Sequence, residues 1–160
     1  MGDIDHGNQV AMMNLVYTNS TQSDFQKLCL ELEKELFERD GDLADVNYEI
    51  NKAGYMENAV VLYIDGLAVG CGAFRNYTGD AVEIKRMYVI PSYRRNNVAS
   101  EILAALENSS RIKGFKEALL ETGKNQPEAI AFYLKHGYAE IEKFGGYVDS
   151  ENSICFKKLL

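Results

Sequence analysis

Cysteine is scarce and odd in number: Cys29, Cys71 and Cys155 are the three in 160 residues, and they are far apart. That excludes a disulfide-stapled framework, and each is read as core filling. With two histidines as well, no metal-ligand spacing occurs and no metal site is expected. Proline occurs twice, and no low-complexity linker or internal repeat divides the chain. No run approaches the roughly 18 apolar residues that a spanning helix needs. The opening residues 1–14 lack the basic start and apolar centre of a secretory signal. A cytoplasmic protein without membrane association is therefore expected. Cationic side chains are also in short supply: 17 Lys and Arg against 24 Asp and Glu give a formal net charge of −7. That balance argues against nucleic acid as a partner and mildly favours an amine or other cation. The glycine patterns of a dinucleotide fold and of a Gly-Lys-Ser/Thr phosphate loop are both missing.

What is present is the composition of one globular domain, 46% hydrophobic and 26% charged, long enough for a full core and short for two. We read residues 1–160 as a single domain, with 1–10 a flexible leader. A first strand is expected over 11–17. A helix follows, capped by Thr21 with Asp24 reaching back, and carrying Phe25, Leu28, Leu32 and Leu36 on one face. It stops at residues 39–42, and 43–58 reads as a short irregular helix. Residues 60–64 and 68–74 form a hairpin about Asp65-Gly66. The glycines of Gly70-Cys71-Gly72 mark a bulge or a close neighbour. A strand over 82–89 is interrupted by Glu83, Lys85 and Arg86, polar groups that need either solvent or a site. A helix over 97–111, a strand over 118–122 and a helix entered at Gln126-Pro127 and closed by Gly137 come next. That helix should line one side with Ala129, Ile130, Tyr133 and Leu134. Strands over 138–144 and 154–160, paired antiparallel, complete the order β-α-α-β-β-β-α-β-α-β-β. This is an α/β (α+β) domain with a mixed, mostly antiparallel sheet flanked by helices.

The chemistry concentrates in Met87-Tyr88-Val89-Ile90-Pro91-Ser92-Tyr93-Arg94-Arg95-Asn96-Asn97-Val98-Ala99-Ser100. A strand ends, a basic turn follows and a helix begins at once. Unpaired backbone N–H groups and the positive end of a helix dipole then converge on one spot, an anion site suited to phosphate or pyrophosphate. A plain turn with solvated arginines is the alternative.

The frame Arg94-Arg95-Asn96-Asn97-Val98-Ala99 resembles the central signature of the GNAT family of N-acetyltransferases, with Asn97 where the family carries its first glycine. Asparagine is the next-best residue for the left-handed conformation that position takes. Glu83, four residues before Met87, and the later pattern of Asn125, Ala129, Tyr133 and His136-Gly137-Tyr138 extend the resemblance, which covers about residue 25 to the end. It implies transfer of an acetyl group from acetyl-coenzyme A to a primary amine of a small molecule, directly in a ternary complex. The cofactor-binding residues it implies are Met87, Tyr88 and Val89 for the pantetheine arm, residues Arg94, Arg95, Asn96, Asn97, Val98, Ala99 and Ser100 for the pyrophosphate, and Asn125. The catalytic residues it implies are Glu83 as general base and Tyr133 as acid toward the departing thiolate; ion pairing for Glu83 and core packing for Tyr133 are the ordinary readings. Tyr48, Tyr55, Tyr77 and Tyr147 are candidates to line the acceptor pocket, and Arg75 or Lys85 to meet a substrate carboxylate. A peptide acceptor and a non-catalytic coenzyme-binding module stand as alternatives, and similar proteins make a homodimer a possible assembly.

Overall fold

The computed structural model describes residues 12–41 and 54–160, together with a short strand pair, β1 (Ile4–Asp5) and β2 (Asn8–Gln9), within the expected leader. Of the helix expected over 43–58, residues 43–53 lie outside the described residues, and from Asn58 the chain is already strand. The main sheet is built from β3 (Met13–Thr18), β4 (Asn58–Ile64), β5 (Leu67–Thr78), β6 (Ala81–Val89), β7 (Glu117–Gly123), β8 (Ala139–Ile141) and β9 (Ser153–Leu159). Its seven strands lie in the order β3-β4-β5-β6-β7-β9-β8. Every pairing is antiparallel except β6 with β7. The mostly antiparallel mixed sheet is as expected.

Helices cover both faces. On one side α1 (Ser23–Asp40) packs Phe25 and Leu28 against Val61, Cys71, Ala73 and Tyr88. On the other, α2 (Val98–Ile112) and α3 (Pro127–Lys135) set Val98, Ile102, Leu103, Leu106 and Tyr133 on Leu62, Val69, Phe74 and Leu120. Alternation along β4 serves both layers, since Val60 joins one cluster and Val61 the other. Each fully buried aliphatic or aromatic side chain contributes about 2 kcal/mol.

Local chemistry sets the boundaries. The β4–β5 hairpin turns through Asp65 (φ 49°) and Gly66 (φ 83°), two left-handed residues whose twist suits a two-residue hairpin. The N-cap of α1 is Gln22 rather than Thr21: Gln22 Oε1 accepts from Phe25 N–H at 2.7 Å, while the Thr21 hydroxyl is held by Asn19 Oδ1. Asp24 accepts from the Tyr63 hydroxyl instead of closing a capping box. Leu134 faces solvent rather than the core. The strand expected over 138–144 contracts to Ala139–Ile141, because the chain then leaves the sheet for a 3-10 turn, Gly145–Tyr147, that carries Tyr147 inward.

Gly70 and Gly72 let α2 approach the sheet. A Cβ on Gly70 would stand 2.8 Å from Ile102 Cδ1, and one on Gly72 would stand 2.7 Å from Met87 Sδ and 2.8 Å from Leu106 Cδ1. The β5–β6 ladder also slips at this point, between Cys71 and Ala73. The opposing strand spends an extra residue there, and Arg86 takes φ 61°. Both expectations for the Gly-Cys-Gly run, a bulge and a close neighbour, are met.

Candidate active site

The site begins where the sheet comes apart. β6 and β7 pair over three positions, Ala81 with Glu117, Val82 with Ala118 and Glu83 with Leu119, and then separate. β7 continues to Gly123 against β9, and β6 continues to Val89 against β5. The facing backbone edges beyond Glu83 therefore have no ladder between them. Ile90 N–H bonds Val69 C=O at 2.9 Å, and Gly70 stands opposite Val89. In an antiparallel ladder that makes Gly70–Val89 a pair exchanging no bond, so the N–H and C=O of Val89 turn toward the gap. By the pleat, Met87 faces the same way, while Tyr88 commits its main chain to β5. Arg94 Nε donates to Val89 C=O at 2.8 Å, leaving the Val89 N–H directed into the opening.

At the end of β6 the chain makes a 3-10 turn, Pro91–Tyr93, and a loop in which Arg95 (φ 67°) and Asn97 (φ 63°) are both left-handed. Asn97 is the N-cap of α2, and the first helical bond runs from Glu101 N–H to Asn97 C=O at 3.0 Å. The amides of Val98, Ala99 and Ser100 have no acceptor one turn back. With positive φ alternating along the loop, they form a concave set of donors at the positive end of a 15-residue helix. Asn97 thus takes the conformation for which its amide side chain is suited. Arg94 pairs with Glu35 of α1 at 2.7 Å and lies over the Tyr88 ring at 5.5 Å, which ties the loop to α1. Arg95 and Asn96 are exposed at the rim. Ser100 Oγ lies 2.9 Å from His136 Nε2, and the other ring nitrogen of His136 lies 2.7 Å from Phe132 C=O.

Beside the gap lies a cavity of 560 Å³ walled by α1 (Leu30, Glu33, Phe37, Glu38), β6 (Glu83 to Met87), β7 (Glu121 to Gly123), Ala129, Tyr133 and Tyr147. Tyr133 is buried, and among the described residues its hydroxyl has no hydrogen-bond partner. Burial first, and the Glu121 charge second, push its pKa well above the ordinary phenol value, so the group keeps its proton.

Glu83 is 1% exposed and fully engaged. Oε1 accepts from Arg75 Nη2 at 2.9 Å and Nε at 3.1 Å, and Oε2 accepts from the Tyr147 hydroxyl at 2.8 Å, with Lys85 Nζ at 3.5 Å. Lys85 Nζ also reaches Tyr147 Oη at 3.1 Å. Burial lowers the Lys85 pKa, and the Glu83 charge partly restores it. Arg86 pairs with Glu33 at 3.4 Å.

The structure therefore brings Glu83, Met87, Val89 and Tyr133 to one opening, with the residue 94–100 loop at the end of the same strand. Val98 is a core residue that lends only its amide. Asn125 lies apart from the cavity wall: its amide donates to Asp40 Oδ1 at 3.1 Å and pins the β7–α3 turn to the end of α1. Tyr147 lines the cavity as expected, Tyr55 borders a different one, Tyr77 packs on Phe144, and Tyr48 lies outside the described residues. Two wall elements went unread in the sequence: Glu121 on β7 and the α1 face carrying Leu30 and Phe37. Leu30 and Phe37 sit off the buried stripe, and their exposure is what marks them.

A parallel pair that opens onto a cavity, next to a donor-lined helix N-terminus, defines a fold of the acyl-coenzyme A N-acyltransferase type. The family model for the Acetyltransferase (GNAT) family matches residues 21–138, and the chain belongs to that family. An IAA acetyltransferase of Azospirillum brasilense is 32% identical over 149 residues, 89% of this chain and 97% of that protein. A Klebsiella pneumoniae protein assigned as an acyl-CoA N-acyltransferase superposes with TM-score 0.78 at 29% identity, covering 93% of this chain and 98% of the other. The fold is shared at 13% identity with a PaiA N-acetyltransferase of Thermoplasma acidophilum solved with coenzyme A, with TM-score 0.68 over 93% and 99% of the two chains.

Proposed function

We propose that this chain transfers an acetyl group from acetyl-coenzyme A to the primary amine of a small molecule, directly and without an acyl-enzyme. The observation that carries the reading is the opening between β6 and β7, which joins the donor-lined end of α2 to a cavity holding an unpartnered tyrosine hydroxyl. These residues fit the coenzyme. The amides of Val98, Ala99 and Ser100 suit its pyrophosphate, and the main chain of Met87 and Val89 suits its amide-bearing arm. When bound, it supplies an activated acetyl thioester.

The chain's own groups then have separate tasks. The Val89 N–H, fixed at the strand end by the Arg94 bond, polarises a carbonyl oxygen placed in the gap. The Tyr133 hydroxyl, held protonated, donates a hydrogen bond to the sulfur as it gains charge. An alkyl ammonium of pKa about 10.4 must lose a proton before it reacts. The oxygens of Glu83 are occupied by Arg75, Tyr147 and Lys85. We assign Glu83 to positioning Lys85 and Tyr147, and Glu121, whose Oε2 accepts from the Ser153 hydroxyl and which lines the cavity beside Tyr133, to accepting that proton directly or through water.

Charge in the cavity supports an amine. Lys85 and Arg86 sit against the carboxylates of Glu83 and Glu33, and on the rest of the wall Glu38, Asp40 and Glu121 outnumber Lys34. Leu30 and Phe37, both more than half exposed, offer an apolar rest for the body of the acceptor. The 32% identity to a protein named for acetyl transfer favours acetyl as the group moved. A thiol-release assay over a panel of small primary amines tests the reading. Turnover is expected with amines attached to an apolar body. Activity confined to lysine-bearing peptides, or coenzyme binding with no turnover on any amine, would overturn it.

A further inference from the structure

Among the described residues one fully buried side-chain polar atom, Asn152 Nδ2, has no hydrogen-bond partner. Asn152 is 6% exposed, and its main chain is held in place because its C=O accepts from Lys124 N–H at 2.8 Å. Leaving a buried amide donor unpaired costs free energy, so its direction matters. It is aimed at Gly123. A Cβ built there would stand 3.3 Å from Asn152 Nδ2, 3.1 Å from Gln126 Nε2 and 3.5 Å from Asp40 Oδ2. At Gly70 and Gly72 the side-chain position is closed by apolar side chains, whereas at Gly123 it is ringed by polar ones. Gln126 caps α3 without a side-chain bond, and buried Asp40 accepts from Asn125 through Oδ1, which leaves Oδ2 to the notch.

The notch opens on the acceptor's side of the gap. Ala118 and Leu120 of β7 join the core beneath α2 and α3, so by strand alternation Glu121 and the side-chain direction of Gly123 point to the face that α1 covers. Asp40, Glu121, Gly123 and Gln126 all wall the cavity.

We propose that this notch, formed by Asn152, Gln126 and Asp40 around Gly123, binds a hydroxyl group of the acceptor, so that the substrate class is a primary amine carrying a hydroxyl. A hydroxyl oxygen accepts two hydrogen bonds and donates one, which matches two amide donors and one carboxylate oxygen about a single point. A carbonyl or carboxylate oxygen would meet Asp40 with no proton to give, and an ammonium would meet two N–H groups with no lone pair. Gly123 leaves the room, since any side chain there takes the hydroxyl's place. Glu121, assigned above to accept the ammonium proton, lies two residues back on the same face, about 7 Å along the strand. Amine and hydroxyl are therefore expected several bonds apart, at the two ends of a short chain. The substrate class rests on the proposed function. The notch does not, because it binds the group whether or not acetyl is transferred.

The test is calorimetric titration of the full chain, with and without coenzyme A, using linear amino alcohols from propanolamine to aminohexanol. Each is compared with the alkylamine that lacks its hydroxyl. The best amino alcohol is expected to bind about ten- to a hundredfold more tightly than its counterpart, the range for a hydrogen bond to a charged group. Gly123→Ala, which fills the notch, and Asn152→Leu, which keeps the volume and removes the donor, should each bring the two affinities together. Asn152→Leu exchanges an unpaired buried amide for an apolar group, so its thermal midpoint should match or exceed that of the wild type. No binding of any amino alcohol, equal affinity within every pair, tighter binding of a diamine of the same length, or a preference that survives both substitutions would overturn the site. Acetyl transfer to the same pairs separates the two readings. Selective binding with no thiol release contradicts the acetyltransferase reading and leaves the notch standing. Turnover with equal kcat/KM for both members of every pair contradicts the notch and leaves the transferase standing.

Discussion

Tyr147 donates its phenolic hydrogen to Glu83 Oε2 across 2.8 Å, joining a 3-10 turn late in the chain to the strand position at which the parallel ladder ends. Arg75 and Lys85 complete the same cluster from β5 and β6. A carboxylate with both oxygens engaged holds its surroundings in place, and its removal takes this counter-charge from the buried Lys85 ammonium, while the Arg75 side chain, 43% exposed, can turn to water. Glu83→Gln is therefore expected to destabilise the fold by about 3–5 kcal/mol, the cost of breaking one partner of a buried pair. Urea denaturation measures it, and an unchanged midpoint would mean that the cluster is not a structural unit.

The two carboxylates of the cavity are separable by kinetics. Glu121→Gln should abolish or move the acidic limb of the pH–rate profile, since the acceptor of the ammonium proton is gone. Glu83→Gln, assayed where it is folded, should lower turnover while keeping that limb. The reverse pattern returns the role of base to Glu83.

Tyr133→Phe keeps the ring in the core and removes the one hydroxyl. Turnover should fall by about two to four orders of magnitude, the contribution of a positioned general acid, with coenzyme affinity unchanged. Equal loss of both would make Tyr133 a packing residue.

Buried phenols set the alkaline limit. The pKa values of Tyr133, Tyr138 and Tyr147 are all raised above 10.0, by burial first in each case. Their protonated forms contribute stability that is fully present below the unfolded-state pKa and is lost as pH rises above it toward the folded values. Stability should therefore decline with pH above about 10, and phenolate absorbance from these three should appear only on unfolding. Full ionisation of all ten tyrosines in the folded protein would contradict this.

Much of the fold was legible because local rules and tertiary needs agreed. Asp65-Gly66 specified its hairpin, Pro127 and Gly137 bounded α3, and the apolar stripe of α2 named its core residues. Thr21 misled because Asn19, two residues earlier, captured its hydroxyl and passed the cap to Gln22. The 94–100 loop was readable because a left-handed N-cap leaves a sequence trace, here asparagine. Ion pairing of Glu83 was readable, and Lys85 does reach it, but its two shorter bonds were not. Its partners Arg75 and Tyr147 lie 8 and 64 positions away in sequence, and only the folded sheet brings them together. Glu121 was hidden for the same reason: in a short strand a carboxylate on the cavity face looks like one facing water.

The account rests on the coenzyme occupying the opening at the end of β6, and calorimetric titration with acetyl-coenzyme A tests that most directly. Asn97 is the discriminating position, because its φ of 63° costs a β-branched side chain heavily and glycine almost nothing. Micromolar binding by the wild type, retained or tightened in Asn97→Gly and weakened in Asn97→Val, is the predicted result. An absence of binding by the wild type, or equal affinity in all three proteins, would contradict it.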